Sequence, residues 1–184
     1  LAISGNSYVK ENAYGGLLYF ADGTVSGNKV LPSGGTVSGQ AAGGMSFLGD
    51  AVEVSGNEIT VTGGTIEEGV YGGLAQLGGN ASGNTVTISG GTINKYVYGG
   101  SADSGTASNN TVNIYGGTFK SDTRLYGGFS DDSSGNTLNF YTKGITVDKL
   151  GYFQNLSFYV PEDTTAGETI LTVTSTADVS GASI

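Results

Sequence analysis

The chain has no cysteine, no histidine, 2 prolines and one arginine among its 7 basic residues. Without cysteine there is no disulfide framework and no thiolate chemistry. Without histidine the ordinary nucleophilic triads lack their base, and zinc lacks its usual nitrogen ligand. The few cations face 16 acidic residues, for a net charge of −9. That balance argues against nucleic acid as a partner, because a phosphate backbone is held by clustered Lys and Arg. No run of 18 or more apolar residues is present to span a membrane as a helix, and no basic segment leads into a hydrophobic one as in a signal peptide. The chain opens at Leu1, partway through a repeat, which is the expectation for a piece of a longer protein.

What the chain has instead is glycine, 34 residues of it, placed periodically. Tyr-Gly-Gly recurs at Tyr14, Tyr71, Tyr98 and Tyr126, and Ala42-Gly43-Gly44 fills the one vacancy, at intervals of 28, 29, 27 and 28 residues. A second glycine marker begins at Gly5, Gly34, Gly63, Gly90 and Gly116. A third marker is asparagine, at Asn28, Asn57, Asn84, Asn110 and Asn136. Three markers sharing one period define a repeat architecture. A strict collagen triplet is absent, and disorder would not hold apolar residues at constant phase.

Aligned on the asparagines, the units place Val30, Ile59, Val86, Val112 and Leu138 at the second position and Pro32, Val61, Ile88, Ile114 and Phe140 at the fourth. Between them stand Leu31, Thr60, Thr87, Asn113 and Asn139, mostly polar. This alternation is that of a half-buried strand. Further apolar columns follow at Val37, Ile66, Ile93, Phe119 and Ile145, and at Ala13, Ala41, Val70, Val97, Leu125 and Leu150, so three short strands per unit are expected. Such a unit cannot bury its own apolar edge, but a stack of units can. The expected fold is all-β, a single-stranded right-handed parallel β-solenoid (β-helix) of about five to six coils over residues 1–150, with coils about 4.8 Å apart. A β-propeller is the rival, but its four-stranded antiparallel blades need more residues. Residues 151–184 are expected to form a C-terminal capping β element, with strands near 156–160 and 169–173 around Pro161 and Gly167. The asparagines face inward at corners and are expected to form an amide ladder, and the glycine pairs to supply positive φ and close approach between coils.

The units ASGNTVTISGGTINKYVYGG and ASNNTVNIYGGTFKSDTRLYGG, followed by GYFQNLSFYVPEDTTAGETILTVT, resemble the repeat region of large bacterial autotransporter passengers and related β-helical surface adhesins. The first units depart from the pattern, with Ala42 in place of Tyr and Pro32 in a strand. The resemblance implies export from a Gram-negative bacterium to the cell surface or medium, and a separate outer-membrane barrel elsewhere in the protein.

Parallel β-helices also include polysaccharide lyases and hydrolases, which need carboxylate clusters or paired carboxylates. Asp103, Asp122, Asp131 and Asp132, with Lys120 and Arg124, are the only candidates for such a cluster, and acidic residues beside Ser and Gly are ordinary turn residues. Calcium at Asp103, Asp131 and Asp132, or at Glu162 and Asp163, lacks a spaced ligand loop, so no metal and no cofactor is expected. The strongest binding candidates are Tyr71, Tyr98 and Tyr126, which strand alternation turns outward as a row able to meet a glycan or a protein. The competing reading is that these rings stack on one another and shield the sheet. The expectation is a non-enzymatic stalk or adhesive module, the alternatives being a carbohydrate-binding module or, third, a polysaccharide-degrading enzyme. Its partner would be an unspecified surface glycan or protein, with self-association through the N-terminal coil, where Leu17, Leu18, Tyr19 and Phe20 adjoin an unpaired edge.

Overall fold

A computed structural model describes residues 1–20, 22–49 and 51–184. The described residues contain no helix, and their strands pair in parallel to build a β-solenoid of about six turns. One turn runs through Thr85–Ile88, Thr92–Ile93, Tyr96–Ala102 and Thr106–Ser108 before the next begins at Thr111–Ile114. The turns between residues 58 and 134 thus have four strands each, not the three expected. The missed strand lies in the stretch of variable length after Tyr-Gly-Gly, where Val25, Val54, Ala81 and Ala107 stack in register and are buried. Alanine and a one-residue apolar signal among Ser and Gly do not announce a strand. Its stability comes from the rungs above and below, not from its own propensity.

The other columns form as alternation requires. Val86 pairs with Ile59 above and Val112 below, Ile88 with Val61 and Ile114, and all six are fully buried. The intervening Thr87 and Asn113 lie on the outer face, half-buried between neighbouring rungs. Burying one such Val or Ile contributes about 1.5–3 kcal/mol, so the stack of columns is the principal source of stability. Lys29–Val37 runs continuously through a corner and joins two faces of the solenoid into one 11-stranded sheet, with Pro32 accommodated beside Ile3.

The asparagine ladder forms along the whole stack. Asn84 Nδ2 donates to Asn110 Oδ1 at 3.1 Å and to the Val54 carbonyl at 2.9 Å, while its Oδ1 accepts from the backbone N–H and the Nδ2 of Asn57 at 3.0 and 3.1 Å. The same pattern links Asn28 to Asn57 and Asn110 to Asn136. Below Asn136 the column is closed by Gln154, whose Oε1 accepts the Asn136 backbone N–H at 2.9 Å. Every ladder amide from Asn57 to Asn110 makes four hydrogen bonds, which is what lets a polar group sit fully buried. The residue before each ladder asparagine has positive φ: Gly27, Gly56, Gly83, Asn109 and Gly135, at 66, 61, 62, 55 and 65°. Asparagine is the one non-glycine residue that tolerates this conformation readily, so Asn109 stands in the series without breaking it.

The corner pairs take positive φ as expected, at Gly35, Gly64, Gly91 and Gly117 (74, 82, 80 and 104°), whereas the Tyr-Gly-Gly pairs serve close approach alone. They lie within strands and do not adopt positive φ; what they supply is missing volume. A Cβ on Gly73 would lie 2.5 Å from Asn84 Nδ2 and 2.7 Å from its Cγ, and one on Gly44 would meet Asn57 in the same way. The asparagine at one wall therefore rests on the glycine pair of the opposite wall. This pinch divides the interior into a large core around Ile59, Ile88, Ile114 and Leu125 and a small one around Val54, Ala75, Ala81 and Ala102.

After Gly151 the chain adds further parallel rungs to the last coil. Asn155–Phe158 pairs with Thr137–Phe140, and Leu171–Ala177 pairs with Ile145–Gly151. The two strands expected around Pro161 and Gly167 do exist, but each joins a different sheet. Their connection is tied by Lys143 Nζ, which donates to Glu168 Oε2 and to the Asp163 carbonyl at 2.9 and 2.8 Å. The Lys143 hydrogen bond, followed by one from the Thr165 backbone N–H, lowers the Glu168 carboxyl pKa to about 2.

Candidate functional site

Strand alternation in the seven-stranded sheet that carries Tyr-Gly-Gly is offset by the glycines. In Gly69–Ala75, Val70 and Ala75 face the cores, whereas Tyr71 and Leu74, three apart, share the outer face with Met45 and Ala42. The glycine pair bends toward the asparagine and takes up the extra residue. Two outer columns result, and the register sets Tyr14, Ala42, Tyr71, Tyr98 and Tyr126 in one and Leu17, Met45, Leu74, Ser101 and Phe129 in the next.

The tyrosines turn away from the core, but they do not form an open row. Tyr71 and Tyr98 stack at 5.0 Å with 19° between planes, and Tyr98 meets Tyr126 at 5.4 Å, tilted by 45°. Tyr96 and Phe129 close over Tyr98 from either side at 5.7 Å. Tyr71 and Tyr98 are left only 7% and 8% exposed, and Tyr126 is half-buried. Like rings at coil spacing satisfy each other's faces before solvent or ligand can. Burial pushes the Tyr71 and Tyr98 phenols well above the ordinary tyrosine value, and the neighbouring Tyr98 and Tyr126 phenols add to it, respectively. A group whose proton is held more tightly in the folded state contributes stability that is present below the unfolded value and lost as pH rises. Thermal unfolding is therefore expected to soften from about pH 10 upward. Replacing both Tyr71 and Tyr98 with Phe should flatten that decline, measured as melting temperature against pH.

An exposed aromatic ladder does exist, on a different face. Tyr115, Tyr141 and Tyr159 stack at 4.3 and 4.4 Å with planes within 8°, and Tyr115 and Tyr159 are 50% and 52% exposed. Beside it runs a polar row in which Asn139 Nδ2 donates to Asn113 Oδ1 at 2.9 Å. The signal was present in the repeat alignment, since Tyr115 and Tyr141 hold the same position as Ser33, Thr62 and Ser89. These rings face one another, so the ladder offers mainly edges and hydroxyls.

Ala42 interrupts the other stack. Where the four Tyr-Gly-Gly rungs carry a ring, it carries a methyl, so in this column Tyr14 and Tyr71 are separated by a position without an aromatic. Across these rungs lies a cleft of about 530 Å³ lined by Glu11, Asn12, Tyr14, Leu17, Tyr19, Gln40, Met45, Phe47, Glu68 and Gln76. Tyr19 stacks on Phe47 at 4.8 Å with 12° between planes, an aromatic shelf along one side. Asn12 Oδ1 accepts the Gln40 backbone N–H at 2.8 Å, and Glu68 is paired with Lys95 at 2.7 Å.

The acidic candidates are not gathered. Among the described residues no three acidic side chains converge as a metal site would need. Asp103 follows the strand Tyr96–Ala102, Asp132 pairs in register with Thr106, and Asp131 lines a separate small hollow with Tyr152 and Asp178. Asp163 is drawn to Lys143. Comparison of the chain with protein-family models, curated proteins and solved structures found no match.

Proposed function

We propose that the chain is a non-enzymatic β-helical module displayed at the surface of a Gram-negative bacterium, serving as stalk and adhesive surface like the autotransporter passengers that its repeats resemble. The observation that carries this reading is the unbroken amide ladder from Asn28 to Gln154. The repeated polar residues of the interior are spent on holding rung to rung, which builds a stiff rod whose chemistry is left to its sides. Antibody raised against the chain should label intact cells of the producing organism, and protease added to intact cells should remove the label. Labelling only after lysis would overturn the placement.

A second reading, a carbohydrate-binding module, is favoured by the aromatic and amide lining of the cleft beside Ala42. We also propose that the polypeptide Leu1–Ile184 associates through the face that bears Leu1, Tyr8, Leu17, Tyr19 and Phe20, each more than half exposed. Light scattering at rising concentration should report the association, and Phe20→Glu should suppress it. A monomer at millimolar concentration would refute it.

A further inference from the structure

We propose that the cleft beside Ala42 binds a neutral hexopyranose unit of a glycan. This rests on the adhesive reading above and gives it a place and a ligand class. The repeat itself supplies the reference: each of the other Tyr-Gly-Gly rungs, at Tyr14, Tyr71, Tyr98 and Tyr126, fills this column with a ring. The departure at Ala42 removes a ring from the middle of the column, and the cleft spans the rung that lost it and the rungs on either side. Its walls combine two chemistries that a pyranose needs together. The apolar part is Tyr14, Leu17, Met45 and the Tyr19–Phe47 shelf, against which the C–H face of a sugar can stack. The polar part is Asn12, Gln40 and Gln76, whose amides both donate and accept, with Glu11 and Glu68 as acceptors for hydroxyls.

Charge selects among sugars. No lysine or arginine is among the residues lining the cleft; of its two carboxylates Glu68 is paired with Lys95, which leaves Glu11 as the net charge there, and the protein as a whole carries −9. Uronic acids, sialic acids and sulfated sugars are disfavoured on that account. An aromatic peptide side chain could enter the apolar part, but it would leave the amides at the rim without partners.

The test is titration of the 184-residue chain, by calorimetry and NMR, with neutral oligosaccharides of glucose, galactose, mannose and N-acetylglucosamine. Sialylated and uronic-acid oligosaccharides and Phe- or Tyr-containing peptides serve as competitors. A neutral oligosaccharide should bind. Tyr19→Ala and Gln76→Ala, both at the surface, should each weaken it at least tenfold. Ala42→Tyr should restore the ring and abolish binding; because the Ala42 methyl is fully buried behind Tyr14 and Met45, melting temperature is measured alongside, and if that variant misfolds, the two surface variants decide alone. Preference for acidic sugars, binding of peptides only, or no binding at all would overturn the assignment. Glycan binding that survives all three substitutions would also overturn it, while leaving an adhesive role elsewhere on the rod. Surface display is decided separately, by labelling of intact cells.

Discussion

Asn84→Leu lowers folding stability by on the order of 5 kcal/mol. The substitution removes the Oδ1 that accepts two donors from Asn57 and the Nδ2 that serves Asn110 and the Val54 carbonyl. Each buried group left unpaired costs about 1–3 kcal/mol, and leucine returns little because the space beside Gly73 is shaped for a flat amide. Chemical denaturation would measure the loss. A fully stable variant would mean that the ladder is incidental to the fold.

Gly73→Ala is expected to cost about 3 kcal/mol or somewhat more, the range of an overpacked core whose neighbour cannot yield. The neighbour is Asn84, held by four hydrogen bonds, so the added methyl must either strain the strand or break the ladder. The interlock makes a sharper claim than the single number. In an Asn84→Ala background the methyl has room, and Gly73→Ala should cost less than 1 kcal/mol relative to that background alone. Equal cost in both backgrounds would show that Gly73 is needed for backbone reasons and not for volume.

The solenoid was legible because its evidence is repeated. A column such as Val30, Ile59, Val86, Val112 and Leu138 gives the same message at each turn, and register follows from spacing alone. The ladder was legible for the same reason, except at Gln154, where a shortened turn brings a different amide into line. The strand that includes Ala81 and Ala107 was not, because small residues carry no periodic weight unless a neighbouring rung is already known. The role of the Tyr-Gly-Gly glycines was hidden because it depends on a contact across the coil with a residue 11 positions later, Gly73 with Asn84. Side-chain direction told only that Tyr71 and Tyr98 leave the core. Whether a ring that points outward meets water depends on the rings above, below and beside it, and Tyr96 and Phe129 are the ones that close over Tyr98. The cleft near Ala42 was not legible, because its lining is gathered from three rungs by their register and no single unit shows it.

The amide ladder has a direction. Each Nδ2 donates toward the C-terminal rung and each Oδ1 accepts from the N-terminal one, so the column is a head-to-tail chain with an acceptor at its upper end. Two copies meeting by their N-terminal faces about a two-fold axis would bring acceptor against acceptor and strands antiparallel, and the ladder could not cross between them. Only a coil in the same orientation sets a donor against the Oδ1 of Asn28, so whatever stacks there must run the same way round. The column is thus a one-way street, open at the half-buried Asn28 and closed at Gln154.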